Sequence, residues 1–266
     1  MTSPTGPGPT GGNTVDPYLD PASGVLRNKL GITDPEQLRQ AEADVALIRN
    51  LEINLGIIRI EGRYNLTHLQ QVHQHLFSDI YPWAGQIRTA AIAKHDVFCL
   101  PQFIEEYAAK VFSDLAGDDW LRGTDQSTFV SGLAHYYSEI NAVHPFREGN
   151  GRAQRAFLGQ LAADAGFHIA WSRLDPADNI AISVAGFHGD KEVVAAVLGP
   201  LVSVDHGLEP WVRDLLVGHA APAQSPRAAA ARAKSTTTPV AQPSPRTQPE
   251  PSRPPAPDKA ARRRPR

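Results

Sequence analysis

One short segment, residues 144–155, combines an imidazole, a carboxylate, two glycines and three arginines; it reads HPFREGNGRAQR. Proline disfavours helical backbone at the residue before it, so Pro145 places His144 at the junction between a helix and a loop. Phe146 is apolar in a polar stretch and is expected to anchor this loop in the core. An imidazole titrates near neutral pH and suits proton transfer, so the segment predicts a general base beside a polar loop.

The second half of this segment has the features of an anion-binding site. Gly149 and Gly151 permit backbone angles and close approaches that side chains forbid, so their N–H groups can face one concavity before a helix N-terminus. Arg152 and Arg155 lie three residues apart on the first turn, where two cations oppose the helix dipole unless phosphates bind there. Glu148 offers a hard oxygen ligand that suits Mg²⁺ beside a polyphosphate.

Each fragment also has an ordinary structural explanation. A glycine-rich loop before a helix is often only a turn, and a pair of arginines is often a solvated face. The combination of a base, a carboxylate, two glycines and the arginine pair Arg152 and Arg155 within twelve residues favours a functional site.

Apolar residues recur at helical spacing through most of the chain and predict an all-α bundle. Thr33 is the expected N-cap of the first helix, with Pro35 and Glu36 in its first turn. Later helices are predicted to start near Asn65 or Thr67, Pro101, Asp125 or Ser127, Asn150, Pro176 and Lys191, the last of them reaching Val204. Gly166 is expected to end the fifth helix.

One segment breaks the helical pattern. Residues 88–100, RTAAIAKHDVFCL, predict a short β-hairpin whose polar turn is formed by residues 94–96. A lone hairpin is marginal in water, so it must pack against the helices. The alternative is an ordinary loop.

Charge is distributed unevenly over the 266 residues, although the formal net charge is only −2. Residues 219–266 hold ten basic and two acidic residues and 11 prolines, and we expect this tail to be disordered. Residues 1–15, rich in Gly, Pro and Thr, have the same expectation, which leaves residues 16–218 as one folded domain. The tail is either a solvated extension or a tether for nucleic acid or an acidic partner.

Composition excludes several protein classes. No apolar run approaches 18 residues, which argues against a membrane span, and no signal peptide is visible. The single cysteine, Cys99, excludes a disulfide framework and a cysteine-rich zinc site. The spacing of His68, His73 and His75 does not suit a metal site. A cytoplasmic protein is therefore expected.

The segment HPFREGNGRAQR resembles the Fic-domain signature HPFx[D/E]GNGRxxR at every fixed position. The stretches LFSDIYPWAGQIRT and AGFHIAW also resemble Fic domains, and the similarity covers about residues 20–205. The resemblance implies a compact helical fold with a β-hairpin flap. It also implies transfer of AMP from ATP to a Tyr, Ser or Thr hydroxyl of a target protein.

The resemblance assigns roles to the residues of the signature. It implies that His144 is the general base, that Glu148 holds Mg²⁺ between the α- and β-phosphates, and that Phe146 belongs to the nucleotide-binding loop. Attack is in line on the α-phosphorus, and catalysis is mostly positioning and electrostatics.

The remaining signature residues are expected to bind the nucleotide. N–H groups around Gly149 and Gly151, together with Asn150, would stabilise charge on the α-phosphoryl oxygens. Arg152 would hold the departing pyrophosphate, with Arg155 near the γ-phosphate. A related branch that resembles Doc toxins has Lys at the position of Gly151 and transfers phosphate, so Gly151 favours AMP transfer; transfer of phosphocholine is a more remote alternative.

Regulation and targets rest on the same resemblance. In the family the flap aligns the target by main-chain pairing, as in strand addition. The inhibitory pattern [S/T]xxxE[G/N] is absent from the sequence. We therefore expect a separate small antitoxin whose Glu contacts Arg155, as for stand-alone Fic toxins, with type II topoisomerase subunits as targets. The alternative is a catalytically silent domain that binds a partner or a polyanion through its basic tail.

Overall fold

A computed structural model describes residues 16–93 and 97–205. Within these ranges the fold is mostly helical, as predicted. The α-helices are α1 (Pro35–Asn54), α2 (Leu66–Phe77), α3 (Ile104–Gly117), α4 (Gln126–Val143), α5 (Asn150–Asp164), α6 (Pro176–Phe187) and α7 (Lys191–Leu198). Short 3-10 turns occupy Pro101–Phe103, Asp119–Leu121, Trp171–Arg173 and Gly199–Leu201.

Side-chain caps fix where the helices begin. The carboxylate of Asp34 accepts a hydrogen bond from the N–H of Gln37 at 2.8 Å, so Asp34 and not Thr33 is the N-cap of α1. The predicted Thr33 cap is wrong by one residue because Pro35 already occupies the first helical position. Asn65 caps α2 and Asp125 caps α4 in the same way, which confirms one of the two starts predicted for each.

The sheet lies in a place that the helical pattern did not predict. Gly166, with φ of 87°, ends α5, and β1 (Phe167–Ile169) follows at once. It pairs antiparallel with β2 (Val202–Val204), with Phe167 opposite Val204. The last helix therefore ends at Leu198 rather than at Val204, because the residues after it form a 3-10 turn and then the strand.

The predicted β-hairpin forms only one β-bridge among the described residues. Among the described residues of the flap segment, 88–93 and 97–100, one antiparallel bridge joins Ala93 to Val97. The N–H of Phe98 donates to the carbonyl of Ile92 at 3.3 Å, while the predicted turn at residues 94–96 lies outside the described residues. The root of the segment is attached to α4, because the N–H of Cys99 donates to the carbonyl of Ala142 at 3.3 Å.

The core surrounds α4 and α5. Helix α5 packs against α1, α2, α4 and β1, and α4 packs against α3, α6 and α7. All described residues belong to one compact unit. The predicted disordered segments 1–15 and 219–266 lie outside the described residues and stay predictions. No helix within 16–93 and 97–205 is both long and apolar enough to cross a bilayer.

Candidate active site

His144 lies where the sequence predicted, at the end of α4. Its backbone is left-handed, with φ of 44° and ψ of 61°, which is a strained conformation for a residue with a side chain. Nδ1 lies 3.1 Å from the carbonyl oxygen of Asn141. Because a carbonyl only accepts, Nδ1 carries the proton of the neutral ring, which assigns the lone pair to Nε2. This is the tautomer that a general base acting through Nε2 requires.

The flap segment fixes the plane of the imidazole. The ring of Phe98 stacks on the ring of His144 with centroids 3.7 Å apart and planes at 18°. Phe187, at the end of α6, packs its edge on Phe98 at 5.6 Å. The carbonyl of His144 accepts a hydrogen bond from Nε of Arg88 at 2.8 Å. The ring and the backbone of His144 are thus both held from outside α4.

Phe146 and Asn150 shape the loop that follows. Phe146 is fully buried and stacks on His73 with centroids 3.8 Å apart, as its predicted anchoring role requires. The side chain of Asn150 accepts from the N–H of Phe146 at 2.8 Å and donates to its carbonyl at 2.7 Å. Both polar atoms of the amide therefore serve the loop. The predicted contact between Asn150 and phosphate stays a prediction.

His73 holds the same loop, a role that the sequence reasoning missed. Its Nδ1 accepts from the N–H of Gly85 at 2.9 Å, so Nε2 carries the proton and donates to the carbonyl of Glu148 at 2.9 Å. Burial lowers the pKa of His73 to about 4, so the ring is neutral at physiological pH. The only signal in the sequence was a histidine next to Val72 on the apolar face of α2.

The two glycines of the motif differ in what requires them. Gly149 has φ of 81°, and a Cβ atom there would lie 2.5 Å from the ring of Phe77, so the chain itself requires glycine. Gly151 lies in the first turn of α5, where a Cβ atom would meet only the tip of Arg155, at 3.4 Å. Gly151 therefore leaves open space at the helix N-terminus.

Glu148 and Arg152 contact each other at this end of α5. The half-exposed carboxylate of Glu148 accepts from the N–H of Gly149 at 2.9 Å and lies 3.6 Å from the guanidinium of Arg152. Arg152 also pairs with Glu42, a buried residue of α1, and Glu42 in turn accepts from the hydroxyl of Tyr81. Sequence reasoning missed Glu42, which lies 110 residues before its partner.

Arg155 is held differently. Its guanidinium donates to the side-chain oxygen of Asn179 at 3.0 Å, and no ion pair of Arg155 occurs within 16–93 and 97–205. Burial lowers the pKa of Arg155. It lines a cavity of about 230 Å³ together with Asn179, Trp171, Leu174 and Pro176. The buried indole N–H of Trp171 has no hydrogen-bond partner in the described part of the chain.

The site thus joins an oriented imidazole to the open N-terminus of α5. The first α-helical bond at this end runs from the N–H of Ala153 to the carbonyl of Gly149 at 3.0 Å. The N–H groups before Ala153 therefore precede the helical ladder, and such N–H groups at a helix N-terminus are available to an anion. Arg155 lies beside Gly151, and Arg152 and Glu148 lie 3.6 Å apart at the same end of the helix. This arrangement suits a polyphosphate next to a proton acceptor.

Similar folds occur among solved structures. BepC, a VirB-translocated effector from Bartonella tribocorum solved with AMPPNP, gives a TM-score of 0.64 at 21% identity over 71% of this chain and 97% of that one. The N-terminal Fic domain of a Bep effector from Bartonella quintana, solved with ADP, gives 0.65 at 24% identity over 71% and 95%. At this identity the likeness establishes the fold.

Sequence comparisons go further. Protein adenylyltransferase VbhT of Bartonella schoenbuchensis is 40% identical over 69% of this chain, which spans only 38% of VbhT. Probable protein adenylyltransferase Fic of Escherichia coli is 37% identical over 72% of this chain and 94% of its own length. The Fic/DOC family model matches residues 63–162, which include the whole site from His144 to Arg155. With a relative matched over nearly its full length and the motif inside the matched region, the chain belongs to the Fic/DOC family.

Proposed function

We propose that this protein is an adenylyltransferase that transfers AMP from ATP to a Tyr, Ser or Thr hydroxyl of a target protein. The observation that carries the proposal is the 3.1 Å contact between Nδ1 of His144 and the carbonyl of Asn141, which makes Nε2 the basic nitrogen of the neutral ring, next to the N-terminus of α5. VbhT and the Escherichia coli relative carry adenylyltransferase names, and two structural neighbours were solved with AMPPNP and ADP.

The proposed reaction is one displacement at phosphorus. The target hydroxyl oxygen attacks the α-phosphorus of ATP and its proton moves to Nε2 of His144. The bond between the α-phosphorus and the bridging oxygen to the β-phosphate breaks, and pyrophosphate leaves with that electron pair. The protein orients the reactants and stabilises the charge that develops on the phosphoryl oxygens.

The helix half of the motif supplies the binding groups. The N–H groups at the start of α5 face the α-phosphoryl oxygens, with Gly151 leaving room for them. Arg152 and Arg155 hold the β- and γ-phosphates. Arg155 is the better placed of the two to gain a new partner, because it forms no ion pair within the described residues.

The chain also fits a magnesium ion that arrives with the nucleotide. Among the described residues, no group of three or more His, Cys, Asp or Glu side chains could hold a metal alone. Mg²⁺ is commonly bound by one carboxylate together with substrate phosphates and waters, and the half-exposed Glu148 supplies such a carboxylate. When bound, the ion neutralises charge on the phosphates.

Regulation completes the proposal. The sequence lacks [S/T]xxxE[G/N], so we propose that a separate antitoxin carries this Glu to Arg155. The cavity beside Arg155 has room for a carboxylate, and both the guanidinium and the unpartnered indole N–H of Trp171 can donate to it. We propose type II topoisomerase subunits as targets and the cytoplasm as the place of reaction.

The test uses ATP labelled at either end of its phosphate chain. The full-length protein is incubated with Mg²⁺ and a bacterial lysate, and labelled proteins are counted. Label from α-labelled ATP that disappears with His144→Ala supports AMP transfer. Label from γ-labelled ATP would instead demonstrate phosphate transfer and overturn the interpretation of Gly151.

Absence of label under every condition would favour the alternative that the domain is catalytically silent.

A second experiment tests regulation with a small protein that contains SxxxEGN and is encoded by the neighbouring reading frame. It should block labelling by the wild-type protein, and a Glu→Ala change in that pattern should relieve the block. A full-length protein that is inactive without any antitoxin, through an internal block independent of Arg155, would contradict this part of the proposal.

A further inference from the structure

Arg88 is the largest fully buried side chain of the described residues, with 1% of its surface exposed. Its guanidinium has no acidic partner within 16–93 and 97–205. Burial lowers its pKa. A buried cation of this kind is costly unless its donors are satisfied. Its position must therefore be explained by what the donors bind.

All three donor contacts of Arg88 go to backbone carbonyls. Nε donates to His144 at 2.8 Å and Nη1 donates to Ala90 at 2.9 Å, while Nη2 donates to Cys99. Ala90 lies on the incoming arm of the flap segment and Cys99 on the outgoing arm. One planar guanidinium thus connects both arms of the flap segment to the residue that carries the imidazole.

The backbone around Arg88 strengthens this connection. The N–H of Arg88 donates to the carbonyl of Pro145 at 2.9 Å, and the N–H of Cys99 donates to the carbonyl of Ala142 at 3.3 Å. The chain on each side of His144 is therefore bonded to the flap segment. His144 itself has a strained left-handed backbone, which persists only where its surroundings determine it.

We propose that Arg88 is a positioning residue that fixes the two described arms of the flap segment, residues 88–93 and 97–100, and the imidazole of His144 in one rigid frame. This inference rests on the proposed function, in which the target pairs with the flap and gives its proton to Nε2. With the frame intact, a hydroxyl held by the flap meets Nε2 at a set distance. Without it, nucleotide still binds, but the hydroxyl and the base lose their alignment.

Two variants test separately the charge of Arg88 and its planar set of hydrogen-bond donors. Arg88→Lys keeps the charge but cannot reach three carbonyls at once, because an ammonium lacks the planar fork. Arg88→Gln keeps amide donors and removes the charge. Phe129→Leu is the matched control, since it weakens the stacking on Phe167 at the far end of α4 and leaves the flap contacts intact.

The full-length proteins are compared in three measurements, well below their unfolding temperatures. In calorimetry, both Arg88 variants should bind ATP with Mg²⁺ within about twofold of the wild-type affinity. In NMR, the imidazole N–H proton of His144, protected by Asn141, should be lost to exchange in both variants and retained in Phe129→Leu. In labelling from α-labelled ATP across a series of lysate concentrations, the second-order rate should fall 10- to 100-fold in both.

Each result decides a different statement. A wild-type protein that labels nothing contradicts the proposed function, and the NMR measurement then decides the role of Arg88 alone. Variants that label within twofold of wild type, or that keep the protected imidazole proton, overturn the inference. An equal loss in Phe129→Leu would also overturn it, because the effect would then follow from stability and not from the frame.

Discussion

The loop half of the motif, His144–Gly149, and its helix half, Asn150–Arg155, differ in where their hydrogen bonds go. In the loop half, backbone carbonyls accept hydrogen bonds from other groups of the protein. Arg88 donates to two of them, Asn150 to the carbonyl of Phe146 and His73 to that of Glu148. In the helix half the first N–H groups lie ahead of the helical ladder, and Arg155 has no ion pair within the described residues.

This difference indicates that the two halves of the twelve-residue motif have different roles. Contacts inside the protein fix the loop before any substrate arrives, which preorganises the proposed base. The helix half keeps its first N–H groups and the guanidinium of Arg155 available to a ligand. Changes in the loop half, apart from the proposed Mg²⁺ ligand Glu148, should therefore alter stability or geometry, and changes at Gly151, Arg152 and Arg155 in the helix half should alter nucleotide binding.

The largest expected effect is at the residue that belongs to both the framework and the reaction. His144→Ala removes the proposed base and should lower the transfer rate by about 10²- to 10⁴-fold, with ATP affinity unchanged. Labelling from α-labelled ATP and calorimetry measure the two quantities. A variant that retains more than a tenth of the wild-type rate would contradict the assignment of His144.

The next effect concerns the pH dependence of stability in the loop half. The pKa of His73 is about 4 in the folded protein and near 6.5 when unfolded, so the unfolded state takes up a proton first as pH falls. The stability present above pH 6.5 should be lost between pH 6.5 and 4, by about 3 kcal/mol at the lower limit. Urea unfolding at several pH values, with His73→Gln for comparison, measures it. If the free energy of unfolding changes equally with pH in the two proteins, His73 is not buried in its neutral form.

The two glycines give a direct test of the division. Gly149→Ala should destabilise the protein by about 2 kcal/mol, from its positive φ and the approach to Phe77. Gly151→Ala should leave stability equal or higher, because alanine favours helix, and should weaken ATP binding through the space it fills. Thermal unfolding and calorimetry on both variants separate these effects. If Gly151→Ala proves as destabilising as Gly149→Ala, the distinction between the two halves does not hold.

The smallest effect is expected at the ion pair between Glu42 and Arg152. Glu42→Gln keeps an acceptor for Tyr81 but removes the charge that holds Arg152. Because Arg152 is partly solvated, the loss of stability should be about 1 kcal/mol, and ATP affinity should fall about threefold as the side chain becomes less ordered. Tighter ATP binding would instead identify Glu42 as a competitor of phosphate.

The sequence predicted those parts of the site that local chemistry determines. Caps, helical periodicity and proline placed α4, α5 and His144 correctly, and the motif residues meet at one place. The sequence alone could not show that Gly149 is required by the fold whereas Gly151 is not, because that requirement comes from the position of Phe77. The strands β1 and β2 were missed because three residues are too few for a clear alternating pattern.

The supporting residues were missed for another reason. His73 and Arg88 act on backbone carbonyls 75 and 56 residues away, and a carbonyl has no identity in the sequence. Glu42 does pair with a side chain, but one that lies 110 residues later in the chain. Contacts of this kind follow from how the helices pack and become visible only in three dimensions.

The attachment of Arg88 has a consequence for how such a protein can diversify. Its three acceptors are main-chain oxygens, which every amino acid possesses. Side chains at positions 91–93 and 97 can therefore be exchanged through evolution without removing these acceptors, whereas Phe98 stacks on the imidazole. Under the proposed function, changes in the flap sequence would accommodate new acceptor proteins while the chemistry at His144 stays constant.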